Sequence, residues 1–204
     1  MTERRGKQQR GIATQTALIE ASARVFARME YDTAKLKDIS EEAGISLGSL
    51  YFHFGNKDDI ASAVLDEQQT RMKTVLSAVA EAPHEHALAQ LLSLIDEMAV
   101  LISRDTMVQA GIRLLNSLPD ELQARGYGDY VSWQEITQEI IVAGIADGSV
   151  TSPRSAEELA EILNEVFVGA QVMSGMRDAW ASLPVRITRV RPLLLELFAP
   201  TGTR

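Results

Sequence analysis

Apolar positions along the chain recur mostly at spacings of three and four. Leu88, Leu91, Leu92, Ile95, Ala99 and Ile102 step in this way, as do Leu159, Leu163, Val166, Ala170 and Met173. That rhythm keeps the apolar residues on one face of a helix. Ile12 to Met29 has the same character, with Ala17, Leu18, Ala21, Val25 and Phe26 on one side. Ser155 before Glu157 and Glu158 supplies an N-cap with acids in the first turn. Glu157, Glu161 and Glu165 then form a solvated row on another face. No stretch alternates apolar and polar residues as a strand would, and no internal repeat appears. All six prolines lie at or beyond position 83 and punctuate that part of the chain. The pattern predicts helices over roughly 10–29, 36–43, 47–53, 57–80, 84–103, 106–116, 130–147, 155–177 and 184–198. The fold class expected is all-α.

The most informative stretch runs from Leu36 to Lys57. Leu36, Ile39 and Ala43 mark the apolar side of a short helix that ends at Gly44, a residue able to take the positive φ of a helix stop. Ile45 then plugs inward, and Ser46 caps a second helix beginning at Leu47. Two short helices joined by a tight glycine turn form a helix-turn-helix, whose second helix fits the major groove of DNA. Gly48 presents no side chain to a sugar-phosphate strand, while Ser49, Tyr51, His53 and Lys57 carry donors suited to phosphate oxygens. Phe52 and Phe54 are spaced to pack behind those donors, and Asn56 is placed to cap the next helix.

Charge supports this placement. The chain has 20 Lys+Arg against 28 Asp+Glu, a formal charge of −8. Residues 1–60 hold nine of each sign, so the deficit falls wholly on residues 61–204. Arg4, Arg5, Lys7 and Arg10 make the extreme amino terminus a basic arm, and a local field of that kind guides a polyanion despite an acidic body. Zero cysteines exclude disulfides, thiolate metal sites and a cysteine nucleophile. The longest apolar run, Ile140 to Ala146, is far short of the roughly 18 residues a membrane span needs. A cytoplasmic protein without membrane, metal or cofactor is expected.

The ordered set Asp38-Ile39, Ala43-Gly44-Ile45-Ser46, Gly48-Ser49-Leu50-Tyr51-Phe52-His53-Phe54 and Asn56-Lys57 resembles the DNA-binding signature of TetR-family repressors. The resemblance implies a three-helix helix-turn-helix domain at the amino terminus and a helical ligand-binding and dimerisation domain after it. On that plan residues 1–57 are arm and DNA-binding domain, 57–80 the linking helix, and 81–204 the ligand-binding and dimerisation domain. It also implies DNA contacts from Arg4, Arg5, Lys7, Arg10, Lys35, Ser46, Leu47, Gly48, Ser49, Tyr51, His53 and Lys57. Two departures stand out. Ala34 and Lys35 replace the Thr or Ser frequent in the family, so Lys35 offers a phosphate a charge instead of a hydroxyl. Leu47 stands where a basic or small polar residue is usual and offers an apolar contact to a thymine methyl.

A narrower resemblance is to the γ-butyrolactone receptor branch. It rests on Tyr51-Phe52-His53-Phe54 with Ile60-Ala61, Val64-Leu65 and Gln68, then Gln109-Ala110-Gly111-Ile112-Arg113-Leu114, Trp133, and Val168-Gly169-Ala170-Gln171-Val172. In that branch a tryptophan matching Trp133 lies against the bound signal. The resemblance therefore implies a homodimeric repressor that a small lactone, furan or butenolide releases from its operator, in control of antibiotic or secondary-metabolite genes. Such a ligand needs an apolar tunnel, an aromatic wall and a few donors, which Trp133, Gln109 and Gln171 can supply. The other reading makes Trp133 a core tryptophan and has the two glutamines satisfy neighbouring backbone groups. A TetR-type repressor answering another ligand, or none, is the alternative function.

Enzyme chemistry finds no foothold. His84 and His86 stand near a helix start without a third metal ligand, and Asp96 and Glu97, being adjacent, point to different helix faces. Neither a nucleophile elbow nor a phosphate-cradling glycine loop occurs. A helical enzyme or carrier would leave the 36–57 constellation unexplained.

Overall fold

A computed structural model describes the backbone of residues 2–115 and 120–199, with the side chains of 2–10, 12 and 120–130 outside the description. Among the described residues there are nine helices and no strand. They are α1 (Thr2–Phe26), α2 (Leu36–Glu42), α3 (Leu47–His53), α4 (Lys57–Glu81), α5 (Ala87–Arg104), α6 (Thr106–Leu115), α7 (Asp120–Asp147), α8 (Ala156–Asp178) and α9 (Leu183–Phe198). The all-α expectation holds. Two boundaries move well beyond the ends the pattern suggested: α1 begins at Thr2 instead of about residue 10, and α7 at Asp120 instead of about 130.

The chain divides into two compact units, one of Met1–Arg71 with Thr106–Gln123 and one of Met72–Asp105 with Ala124–Arg204. The division falls inside α4. It also assigns α6 to the first unit, although α6 lies past the boundary at 81 that the family plan suggested. The reason is packing: Met107, Ala110 and Leu114 are buried in the same core as Leu18, Phe26, Ile39, Leu50, Ile60 and Leu65. The side chain of Gln68 in α4 lies directly on Gly111 of α6 and leaves no room there for a Cβ.

In the first unit, α1 buries Leu18, Ala21, Ser22, Ala23, Val25 and Phe26, whereas Ala17, placed on that face by the pattern, is exposed. Ser22 can be buried because its hydroxyl donates to the Leu18 carbonyl at 2.7 Å. Arg24 and Arg28 each reach Glu42 at 2.7 Å and tie α1 to α2. These ion pairs hold the Glu42 carboxyl below its ordinary value, Arg28 contributing most. The turn between α2 and α3 has Gly44 at φ 65°, and the Ile45 N–H closes it by donating to the Ser40 carbonyl at 3.0 Å.

In the second unit the apolar stripe of α5 is buried as the pattern required, from Leu88 to Ile102. Its amino terminus is fastened to the end of α7, where the Asp147 carboxylate accepts from the Ala87 N–H at 2.8 Å and the Ser149 N–H at 2.9 Å. In α8 the buried series is Leu159, Ala160, Leu163, Phe167, Gln171 and Ser174. Val166 and Ala170 are half-buried and Met173 exposed, so the expected stripe drifts off the core face after Leu163. The turn from α8 to α9 places Ala179 and Trp180 at φ 49° and 65°. Trp180 is buried there, its ring lying on the backbone of Gly175.

Candidate nucleic-acid interface and ligand site

The recognition helix α3 begins at Ser46, whose Oγ accepts from the Ser49 N–H at 3.1 Å. Leu50 and Phe54 anchor it in the core. Their burial turns Leu47, Gly48, Tyr51 and Phe52 outward; Leu47 is 41% exposed, Tyr51 53% and Phe52 85%. The expectation that Phe52 packs behind the polar donors is therefore corrected, because Phe54 alone takes the inward position. Phe52 instead meets the ring of half-buried His53 edge-on, with centroids 5.3 Å apart. Ser49 is also half-buried.

Among the described residues nothing crowds Gly48. A Cβ placed there would meet only Ser46 Oγ, at 3.9 Å, an ordinary contact. Glycine inside a helix costs about 0.5–1 kcal/mol relative to alanine.

Lys57 also has partners within the chain. Its Nζ donates to the Tyr31 carbonyl at 2.7 Å and the Ala34 carbonyl at 3.2 Å, and lies 4.1 Å from the Tyr31 ring centroid. Two of its three donors thus fasten the loop before α2 to the start of α4, which leaves one for a phosphate. Tyr31 completes the clamp by donating to the Asp58 carboxylate. Burial first, and Asp58 second, push the Tyr31 hydroxyl above its ordinary range. Asn56 caps α4 as expected, its Oδ1 accepting from the Asp59 N–H at 2.8 Å. The Tyr31 clamp had no local signature, since it joins residues 26 and 27 apart in sequence.

Lys35 is exposed at the N-cap of α2. Arg4, Arg5, Lys7 and Arg10 lie on the first turns of α1, and their side chains fall outside the described residues. Short helices α2 and α3, the glycine turn, the outward face and the bare backbone at Gly48 together define a helix-turn-helix DNA-binding domain.

The expected ligand residues divide between the units. Gln109 is half-buried on α6 in the first; Trp133 and Gln171 belong to the second. Within the second unit Trp133 of α7 faces Phe167 of α8, with ring centroids 6.2 Å apart and planes tilted by 36°. Gln171 lies one turn beyond Phe167 and is 5% exposed. Asn164, one turn before Phe167, holds its Oδ1 buried without a hydrogen-bond partner among the described residues. In the sequence, only the i, i+3 and i, i+7 spacing of Asn164 to Phe167 and Gln171 marks it. A separate open groove of about 300 Å³, lined by Val75, Glu97, Val100, Leu101, Arg104 and Asp105, contains none of the expected ligand residues.

His84 and His86 serve helix ends. His86 Nδ1 accepts from the Ala89 N–H at 3.1 Å, and His84 Nε2 pairs with the Val79 carbonyl at 2.7 Å. Among the described residues no group of three His, Asp or Glu is placed to hold a metal ion, and no helix is long and apolar enough to cross a membrane.

Residues 18–64 match the family model described as bacterial regulatory proteins, tetR family. That segment is accordingly a TetR-family amino-terminal domain. Along almost its whole length it is similar to the A-factor receptor protein of Streptomyces griseus, at 27% identity over 199 residues, 96% of this chain and 67% of that protein. Its fold is similar to that of CprB, a TetR-family protein of Streptomyces coelicolor A3(2), with a TM-score of 0.79 and 25% identity over 96% of this chain and 93% of that one. CprB in complex with its operator sequence gives the same TM-score at 24% identity, over 95% and 92% of the two chains. A γ-butyrolactone receptor, an ArpA-like protein, shares the fold at a TM-score of 0.66 and 23% identity, over 89% and 98%.

Proposed function

We propose that the protein is a homodimeric repressor that leaves its operator when a small γ-butyrolactone-like, furan or butenolide signal binds, and that it controls antibiotic or secondary-metabolite genes in the cytoplasm. The observation that carries this reading is similarity over 96% of the chain to the A-factor receptor, joined to the outward face of α3. Ser49, Tyr51 and His53 supply phosphate donors around Gly48, aided by Lys35, the remaining Lys57 N–H, the Ser46 hydroxyl and the basic arm. Trp133 and Phe167 provide the flat apolar wall a lactone with an alkyl tail needs, and the amides of Gln171 and Asn164 on the same face of α8 supply polar partners. Gln109 stands as a further candidate.

Dimerisation is supported by apolar side chains left in water on α8 and α9: Met173 is 56% exposed, Met176 82%, Val185 60% and Leu193 66%. A partner copy presenting the same two helices would bury them as a four-helix bundle. Such a dimer sets two recognition helices for successive major grooves about 34 Å apart. A signal that prefers a differently spaced state weakens DNA binding by its differential affinity, and DNA weakens signal binding equally.

The test is a gel shift on the DNA upstream of the protein's own gene, with and without synthetic γ-butyrolactone. Wild type should bind and be released, while Trp133→Ala should bind equally well and resist release. Release of Trp133→Ala at the wild-type concentration would remove Trp133 from the pocket. Binding by wild type that ignores lactones would move the sensor to another ligand class.

A further inference from the structure

The side chains that α3 turns outward are of an unusual kind for a DNA-reading helix. Leu47–His53 contains no Arg, Lys, Asn or Gln, the residues that pair bidentately with guanine or adenine edges. Its solvent face offers instead the isobutyl group of Leu47, the bare backbone of Gly48, the ring of Tyr51 and the ring of Phe52. Phe52, at 85% exposure, leaves nearly a whole phenyl group in water on a helix of seven residues, with the ring of His53 edge-on beside it. Burial of so exposed a ring contributes little to the free protein. In a major groove, one base feature rewards an apolar side chain, and that is the 5-methyl group of thymine.

Resting on the operator-binding reading above, we infer that α3 reads its operator through thymine methyl groups, with Phe52 and Leu47 as the reading side chains, instead of through hydrogen bonds to base edges. The operator half-site should present thymines at the steps beneath α3. The absence of a Cβ at position 48 lets the helix settle deep enough for both side chains to reach those methyls. Leu47 and Phe52 lie on either side of Gly48 on the outward surface, so the methyls they meet belong to different steps. Phosphate donors then set register without adding sequence information.

The experiment begins with in vitro selection of duplexes by the full-length protein from random sequence. Thymines in the selected site are then replaced one at a time by deoxyuracil, which removes the methyl and nothing else, and affinity is read by fluorescence anisotropy. Each contacted thymine should lose about fourfold on replacement, the weight of one buried CH₂-sized group, and replacements elsewhere should be neutral. Phe52→Ala should abolish the thymine-to-uracil penalty at one position of the half-site, and Leu47→Ala at another. A selected site that tolerates uracil at every position overturns the inference while leaving the repressor reading intact. So do penalties that persist unchanged in both variants. Failure to select any duplex overturns the operator reading and this inference with it.

Discussion

Replacing Gly48 by alanine separates a cost borne by the protein from a requirement imposed by DNA. In the free chain the added Cβ has Ser46 Oγ at 3.9 Å as its nearest neighbour, so it creates no clash. The helix should gain about 0.5–1 kcal/mol from the lost backbone freedom of the unfolded glycine. For a chain of this size that is a rise of about 1–4 °C in the unfolding midpoint. On the operator the same methyl meets a backbone or base edge pressed against α3, and overpacking of a close interface costs about 1–3 kcal/mol. Binding should therefore weaken about fivefold to a hundredfold. Thermal unfolding followed by circular dichroism, alongside anisotropy on the operator, reads both quantities from one preparation. A variant that is stabilised yet binds as tightly as wild type refutes the close approach at Gly48. A variant that is destabilised shows that the glycine serves the protein's own backbone.

Two further outcomes test the second unit. Gly175→Ala should destabilise by a net of about 1–2 kcal/mol despite the usual helix gain, because the new Cβ would lie 2.8 Å from Trp180 Cε2 and 2.9 Å from Nε1; urea unfolding that moves the midpoint upward would contradict this. Asp147 has its carboxyl held below the ordinary value chiefly by Ser149 and then by the Ala87 N–H, so its ionised form contributes stability that is present above about pH 4 and lost as pH falls through the lower native value. Asp147→Asn should thus be less stable than wild type at pH 7, with the difference shrinking below about pH 4; a difference that stays constant down to pH 2 would remove Asp147 from the acid response.

The sequence by itself determined whatever depends on neighbours in the chain. The three-and-four rhythm gave helices, Ser46, Asn56 and Ser155 stood where caps form, and Gly44 stood where the chain needs positive φ, because each is a short-range matter of hydrogen bonds and backbone sterics. The ordered motif from Asp38 to Lys57 carried the family for the same reason, being contiguous. Tertiary structure decided what depends on which face meets which. Phe52 and Phe54 are two apart and chemically alike, yet only packing against Leu50 and Ile60 buries one and leaves the other in water. The sequence neighbours of Lys57 suggest a phosphate donor, whereas its ammonium is spent largely on the Tyr31 and Ala34 carbonyls, more than twenty residues away. The company of α6 with α1, and the buried Asn164 Oδ1 that has no partner among the described residues, belong to the same class. Periodicity says that a helix has an inner face; only the neighbouring helices fix which residues at the margin of that face are covered.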